Sequence, residues 1–385
     1  MKKLFFIAAI AGAALVSCTK NEVAQSVNDQ KAISFSSPVV GATTKASADL
    51  TYGLITGDYP TGQNFSVWAW YDDNTDNNIK GVKYMSDIEV AWASYDHNDE
   101  TENGAWDPVT PYYWPKNGSL DFDAYSPRDI QGFNGCEVTC TAANGLVISN
   151  YTVPTVLENK HVDPATPGEQ IDVLFSTRSE NKTSSIGSAN KYEGVDIVFN
   201  HALSAVRFNV SQAGNYAPGT ITLESIKVNA YNKGTFNQNI SSTAAWTPVE
   251  NSTADYPVLA LTGYDNSIAL ATKEEETITK TPYESITALM LPQEFNDDFA
   301  ASITITYFIK NGNEEPLRQT HTFDLSDAKN QNGVDENEDV VPVASWDMGK
   351  IYTYNITIGL QDIYFAPTVQ EWDEYATVTL PSINN

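Results

Sequence analysis

Basic side chains are scarce in this sequence. Lys and Arg together number 22 against 49 Asp and Glu, which gives a formal net charge of −27 over 385 residues. Phosphate backbones and anionic lipid headgroups repel a chain of this charge, which argues against nucleic-acid binding. Charged residues make up only 18% of the chain, below the usual level of about 25%. The acidity therefore reflects missing Lys and Arg rather than dense acidic tracts.

Cysteine is also rare, with three residues in the whole chain. Cys136 and Cys140 are four positions apart, so on one strand they would lie about 13 Å from each other. That separation is too long for a disulfide unless the chain turns between them. Two readings stay open, isolated structural thiols or a local bridge. No Cys or His stands nearby at ligand spacing, so neither a zinc site nor any other metal or cofactor is predicted.

No hydrophobic run is long enough to cross a bilayer. The longest, from Leu4 to Val16, has 13 residues, whereas a spanning helix needs about 20. It follows a basic start and predicts a signal peptide over residues 1–17. The run ends in Leu15-Val16-Ser17-Cys18, which resembles a bacterial lipobox and predicts lipidation of Cys18. Residues 18–31 then form a polar tether. The alternative is an ordinary signal peptide that contains a buried Cys.

Signatures of catalysis are missing as well. The four histidines are scattered, and no HExxH, GxSxG, P-loop or dinucleotide pattern occurs. We therefore predict that the chain is not an enzyme. Carboxylate pairs leave a glycosidase open, because a sequence does not give the separation such a pair needs. Stretches beginning at Asp72 and Asp335 lack the Gly and Glu of calcium loops and are interpreted as solvated acidic turns. His201, beside strand residues, is interpreted as structural.

What the chain has in abundance is a period of two. Apolar and polar residues alternate in several stretches, as in antiparallel sheets with one buried face: residues 120–125, 206–210, 302–307 and 352–358. Phe65 to Trp70 is apolar or aromatic at most positions and predicts a strand covered on both faces. Turn-rich clusters separate these stretches, which predicts an all-β protein built from β-sandwiches. A polar break predicts a domain boundary near residue 192, giving domains over 32–192 and 193–385.

Several motifs, taken in order, resemble the fimbrillin family, the subunits of type V pili in Gram-negative anaerobes. In the first half they are Phe65-Ser66-Val67-Trp68-Ala69-Trp70, Tyr112-Tyr113-Trp114-Pro115, residues 120–127 and residues 170–175. In the second half they are Phe199-Asn200-His201-Ala202-Leu203-Ser204, Gly234-Thr235-Phe236-Asn237, Leu291-Pro292-Gln293, Trp346-Asp347-Met348-Gly349-Lys350 and residues 363–372.

The resemblance implies two tandem transthyretin-like antiparallel β-sandwich domains and export as an outer-membrane lipoprotein that enters a fimbrium. It also implies that a protease of trypsin-like specificity removes the first strand, so that other fimbrial subunits bind by strand exchange. Residues 32–45 fit that strand, with Ile33, Phe35 and Val39 as its apolar side chains. Cleavage is expected between Lys45 and Ala46, where the family more often has Arg. The alternative reading of Lys45 is an exposed loop lysine.

A strand that fills the vacated groove must alternate in the same way. Ala376, Val378 and Leu380 alternate with Thr377 and Thr379, so residues 374–385 are the predicted donor. The apolar residues just before this segment complete the subunit's own last strand or join the donor: Ile363, Phe365, Val369 and Trp372.

The resemblance thus implies a structural pilus subunit that serves adhesion, with a host glycan or protein as a candidate receptor. The alternative is a surface lipoprotein that does not polymerise and binds glycans or host ligands. Its candidate platforms are aromatic side chains, which in strands more often belong to the core: Trp68, Trp70, Tyr112, Tyr113 and Trp114.

Overall fold

A computed structural model describes residues 31–41, 57–75, 80–93, 105–157, 169–184, 194–214, 219–273, 283–295, 299, 301–327, 329–334, 340–359 and 363–372. These residues form 28 strands and four 3-10 helices, the latter at Arg128–Ile130, Phe133–Gly135, Tyr264–Asn266 and Leu325–Asp327. The all-β class is confirmed. No helix within these ranges is long and apolar enough to cross a membrane.

The strands before residue 192 are β1 (Val39–Val40), β2 (Gly57–Asp58), β3 (Phe65–Asp72), β4 (Val82–Ala93), β5 (Ala105–Pro108), β6 (Ser119–Ser126), β7 (Glu137–Thr141), β8 (Gly145–Thr152), β9 (Leu174–Ser176) and β10 (Ser179–Lys182).

Those after it are β11 (Val198–His201), β12 (Ser204–Ala213), β13 (Gly219–Tyr231), β14 (Lys233–Asn237), β15 (Ala245–Pro248), β16 (Thr253–Ala260), β17 (Ile268–Ala269), β18 (Thr272–Lys273), β19 (Tyr283–Glu284), β20 (Ala288–Met290), β21 (Gln293–Glu294), β22 (Ser302–Asn311), β23 (Leu317–Asp324), β24 (Lys329–Val334), β25 (Val340–Pro342), β26 (Ser345–Trp346), β27 (Lys350–Ile358) and β28 (Ile363–Glu371).

The first large sheet runs in the order β2-β1-β11-β9-β6-β3-β4-β5, with β10 added to β6. β5 is the last strand in this order. Phe35 forms a β-bridge to Trp106 in β5 and another to Val195, just before β11. Residues 31–41, here called the N-terminal segment, therefore close the sheet into a ring. An apolar core fills that ring, with Phe65, Trp106, Phe122 and Phe199 each at most 1% exposed.

β3 separates this ring core from a second, larger core. Phe65, Val67 and Ala69 face into the ring, while Trp68 and Trp70 pack in the other cluster. All five are at most 5% exposed, so the prediction of a strand covered on both faces is confirmed. Burial on both faces explains why Phe65 to Trp70 lacks the polar half of the usual alternation.

The second core lies among the remaining sheets. One sheet runs β18-β12-β27-β28, with β19 and β20 also on β12, and another runs β16-β13-β22-β23, with β17 on β13. A third runs β15-β14-β8-β7. Ile303 and Ile305 of β22 point into this core and are fully buried, while Thr304 between them is only partly buried. The predicted alternation therefore holds from Ser302 to Ile305 of β22 and not beyond, because Thr306 is itself buried.

The predicted boundary near residue 192 falls among residues 185–193, outside the described ranges, and stays a prediction. Two strand pairings join parts of the chain that lie before and after this boundary. β11 lies in the ring between β1 and β9, and β8 pairs with β14 from Lys233↔Thr152 to Asn237↔Val147. Sheet composition therefore does not follow chain order at this position.

Strand pairing is mostly antiparallel, with three parallel pairs among the described strands: β1 with β11, β12 with β18, and β12 with β27. The β12–β27 pair is long, running from Ala205↔Ile351 to Gln212↔Ile358. Alternation along a strand shows which face is buried but not the direction of the neighbour. These parallel pairs were therefore not predictable from the pattern alone.

Cys136 and Cys140 are free thiols, both buried. The structure therefore agrees with isolated structural thiols rather than a local bridge. Burial raises the pKa of Cys136 to about 11. Burial is also the main reason that the pKa of Cys140 lies above its ordinary value, and the neighbouring Asp123 raises it further. A thiol with a raised pKa is protonated at neutral pH and reacts poorly as a nucleophile.

Candidate functional site

The N-terminal segment is hydrogen-bonded along both of its sides. On one side the backbone N–H groups of Ile33 and Phe35 donate to the carbonyls of Tyr112 and Trp106, each at 2.8 Å. On the other side Val195 donates to Ser34, and Ser36 donates back to Val195. A stretch with partners on both sides is an inner strand of a sheet rather than an edge.

Its apolar side chains enter the ring core. Ile33 is 1% exposed, Phe35 2% and Val40 5%. The Phe35 ring makes edge-to-face contacts with Phe65 at 5.8 Å and with Phe122 at 5.6 Å between centroids. Aromatic pairs in this geometry add to the free energy gained by burial alone. The segment therefore supplies part of the hydrophobic core as well as backbone pairing.

One extra residue interrupts the ladder between the two halves of the segment. Ser36, Val39 and Gly41 donate in turn to the carbonyls of residues 195, 197 and 199. From Ser36 to Val39 the segment advances three residues, while the chain opposite advances only two, from 195 to 197, as in a β-bulge. The bulge coincides with Pro38, which has no N–H to donate. As a result Val40, rather than Val39, is the buried valine.

Gly194 allows the segment to lie this close. A Cβ at Gly194 would lie 2.5 Å from the carbonyl carbon of Phe35 and 2.7 Å from its Cα and N. These are backbone atoms, which cannot move aside as the end of a flexible side chain can. Sequence reasoning missed Gly194, because a single glycine beside a strand shows no sign of what approaches it.

The structure brings together only some of the predicted site residues. Ile33 and Phe35 lie side by side in the ring core, and Val39 is half-buried in β1 opposite Asp58 and Val198. The other predicted site residues lie outside the described residues: Cys18, Lys45, Ala46, Ala376, Val378 and Leu380. Their roles stay predictions.

The last described strand ends against the ring. β28 pairs with β27 in antiparallel register from Lys350↔Glu371 to Ile358↔Ile363, so residues 363–371 complete the subunit's own last strand. Trp372, just beyond it, is 2% exposed and stacks on His201 of β11 at 3.9 Å between centroids. The Nδ1 atom of His201 lies 3.0 Å from Oδ1 of the buried Asp172. His201 is thus a buried packing residue, consistent with the structural interpretation.

A buried ion pair lies on the outer side of the ring. Asp123 in β6 is 0% exposed and accepts hydrogen bonds from Nη2 of Arg178 at 2.6 Å and from Nε1 of Trp70 at 3.0 Å. Nη1 of Arg178 also donates to the Ala142 carbonyl at 2.6 Å. Because its charge is matched and its oxygens are bonded, Asp123 is a structural carboxylate. Among the described residues no cluster of three or more His, Cys, Asp or Glu could hold a metal ion.

Most of the aromatic side chains considered as glycan platforms are core residues. Trp68, Trp70 and Trp114 are 4%, 5% and 8% exposed. Tyr112 is half-buried, and only Tyr113 is exposed, at 44%. The interpretation of this set as a sugar-stacking surface is therefore wrong for the three tryptophans, because a buried ring has no free face on which a sugar could stack.

The described residues thus provide an inner strand over residues 31–41, held by backbone pairing on both sides and by apolar burial. A family model described as fimbrillin-like matches residues 44–372. The chain belongs to the fimbrillin-like family. No curated protein matches the sequence.

Solved structures resemble this fimbrillin-like chain at low identity. A fimbrial protein from Bacteroides vulgatus is 14% identical, with a TM-score of 0.51, and the match covers 89% of this chain and 100% of that one. The tip fimbrial protein Mfa3 from Porphyromonas gingivalis, truncated at its C-terminus, is 11% identical, with a TM-score of 0.37, over 80% and 94% of the two chains. At 14% identity the first likeness supports the fold alone.

Proposed function

We propose that this chain is a structural subunit of a cell-surface pilus, exported as a lipoprotein and assembled by donor-strand exchange. Membership of the fimbrillin-like family supports the pilus role. The single observation that carries the assembly mechanism is the N-terminal segment, an inner strand formed by residues 31–41. Its removal would leave the two neighbouring rows of backbone groups without partners.

The apolar side chains of the segment set the size of the effect. Burying Ile33, Phe35 and Val40 contributes roughly 5–9 kcal/mol in total, at about 1.5–3 kcal/mol for each side chain. A subunit that loses the segment exposes an apolar trough of matching size. An incoming strand with alternating apolar residues recovers much of this free energy and restores the backbone ladder. Links between subunits would then be long-lived.

The donor in this proposal is the segment 374–385 of a neighbouring subunit, with Ala376, Val378 and Leu380 entering the groove. The segment follows Trp372, which is fixed against His201 at the end of β28. A donor that begins beyond such an anchor can extend to another subunit without unpairing β28 from β27.

Cleavage between Lys45 and Ala46 releases the N-terminal segment in this proposal. Lys31 is the first residue of the N-terminal segment and also basic, but its carbonyl accepts a hydrogen bond from the N–H of Trp114 at 3.0 Å. Proteases bind an unpaired, extended backbone, so Lys31 is a poor site while the segment is in place. We therefore place the cut after Lys45, and the family resemblance implies a maturation protease of trypsin-like specificity.

Lipidation of Cys18 would hold the precursor at the outer membrane through residues 18–31. Several acyl chains on one residue give stable anchoring, whereas a single chain binds marginally. Cleavage after Lys45 breaks the covalent link between the anchored N-terminal segment and the rest of the subunit, so that a donor strand can then displace the segment from its groove. The assembled fimbrium then presents the subunits for adhesion to a host glycan or protein.

The test compares variants expressed on the cell surface and run on denaturing gels without boiling. Lys45→Gln should abolish the ladder of polymer bands, because the N-terminal segment stays in its groove. Lys45→Arg should keep the ladder. Lys31→Gln is the matched control, since it removes the same charge from a position that is not cut.

Deletion of residues 374–385 tests the donor separately. That variant should be cleaved after Lys45 yet give no ladder, since the groove is open but no donor is offered. Ladders that persist in both Lys45→Gln and the deletion variant would contradict the proposal.

A further inference from the structure

β23 is an edge strand without the usual protection against pairing. It pairs with β22 in unbroken register from Ser302↔Asp324 to Ile309↔Leu317 and, within the described ranges, with no other strand. Six of its eight residues are exposed. It contains no Pro and no Lys, whereas β16 at the opposite edge of the same sheet carries Pro257 and a register shift. Long, regular, unprotected edges are templates for another strand.

The hydrogen-bond pattern shows which backbone groups of β23 face outward. The N–H of Leu325 donates to the carbonyl of Ala301 at 2.7 Å, so this pair bonds inward. Inward and outward residues alternate in an antiparallel ladder. Arg318, Thr320, Thr322 and Asp324 therefore direct their N–H and C=O groups away from β22.

These four residues complement those of an identical β23 strand that runs antiparallel to the first. An antiparallel second copy centred on His321 places Arg318 opposite Asp324 at both ends. The same register places Thr320 opposite Thr322, each of which already contacts a threonine of β22, at 3.2 Å to Thr306 and 2.9 Å to Thr304. Opposite charges and paired threonines both favour cross-strand pairing.

We propose that β23 pairs antiparallel with β23 of a second copy of this chain, about a two-fold axis at His321. This contact is independent of the groove and of the donor strand, so it links subunits sideways rather than end to end. A two-fold interface of this kind uses one surface patch twice. Nε of Arg318 already donates to Oε2 of the buried Glu224 of its own chain at 2.6 Å, so in the proposed contact the guanidinium of Arg318 lies between Glu224 and Asp324 of the second copy.

Cysteine cross-linking reads out the register. In the proposed pairing the two His321 residues form a non-hydrogen-bonded pair, with Cα atoms about 4.5 Å apart, within disulfide range. His321→Cys in the uncleaved full chain carrying Cys18→Ser should therefore give a disulfide-linked dimer under mild oxidation. Thr320→Cys and Thr322→Cys are matched controls, because each would face its own copy only in a register shifted by one residue at its centre. The proposal would be overturned if His321→Cys gave no disulfide-linked dimer, or if it cross-linked no better than Thr320→Cys and Thr322→Cys.

A charge variant gives a second readout without cysteine. Asp324→Arg places two Arg side chains opposite each other at both ends and should weaken dimerisation about tenfold or more in sedimentation at roughly 0.15 M salt. Glu315→Arg makes the same charge change in the exposed turn before β23 and should leave dimerisation unchanged. Equal effects of the two variants, or a wild-type chain that stays monomeric at the concentrations where His321→Cys cross-links, would contradict pairing through this edge.

Discussion

The N-terminal segment and β23 are extended stretches of similar length that meet opposite surroundings. The segment has backbone partners on both sides and places Phe35 at 2% exposure in the ring core. β23 has one partner strand and leaves most of its side chains in solvent. A strand of the first kind holds its place by burial and can be replaced only by another strand that fills the same pockets. A strand of the second kind can gain a partner without losing one.

The largest difference between the two regions should appear when a side chain is truncated. Phe35→Ala removes a buried phenyl group from the core inside the closed sheet and should lower the free energy of unfolding by about 3–5 kcal/mol. His321→Ala on β23 should change it by no more than about 0.5 kcal/mol. Urea unfolding of the uncleaved chain measures both values. Similar losses for the two variants would mean that the segment is not part of the core.

A smaller loss of stability is expected when a neighbouring side chain is enlarged so that it displaces the segment. Gly194→Ala places a methyl group against the backbone of Phe35 and should cost about 1–3 kcal/mol, as overpacking does. The amides of Phe35 and Ser36 should exchange with solvent faster than in the wild type. Gly62→Ala is the control, because nothing lies within 4 Å of a Cβ there. An unchanged exchange rate at Phe35 in Gly194→Ala would show that the segment does not lie against Gly194.

The smallest effect is expected from polar side chains on the outer face of the segment. The hydroxyl of Ser36 donates to Oδ1 of Asp196 at 3.0 Å in an exposed position. Ser36→Ala should therefore lower the free energy of unfolding by about 0.5 kcal/mol or less, as surface substitutions do. Thermal unfolding with Phe35→Ala alongside gives the scale. If Ser36→Ala lowered the free energy of unfolding as much as Phe35→Ala, the segment would be stabilised by its polar contacts and not by its apolar ones.

The sequence predicted faces of strands better than their partners. The run Phe65 to Trp70 correctly indicated burial on both faces, and Ile33 and Phe35, named from the family resemblance as apolar side chains of the first strand, are buried. The sequence did not indicate that Val40 replaces Val39 in the core, because the bulge at Pro38 depends on the strand opposite. Pairing of β8 with β14 joins residues some 85 positions apart, and nothing local encodes such a contact.

The candidate site was predictable in part for the same reason. The family resemblance implied a first strand over residues 32–45, and two of the three side chains named for it, Ile33 and Phe35, are buried. That this strand lies between two partners follows only from the closure of the ring by Trp106 and Val195. For the aromatic residues the core was the favoured interpretation and a glycan platform the alternative, and the burial of Trp68, Trp70 and Trp114 agrees with the core.

We propose above all that the N-terminal segment is cut from the subunit after Lys45 and is replaced by a donor strand during assembly. N-terminal sequencing of subunits taken from the assembled surface polymer tests it most directly. The account predicts a start at Ala46, after cleavage behind Lys45. Polymer subunits that still begin at an acylated Cys18 would contradict it, because the segment would then still occupy the groove that the donor strand needs.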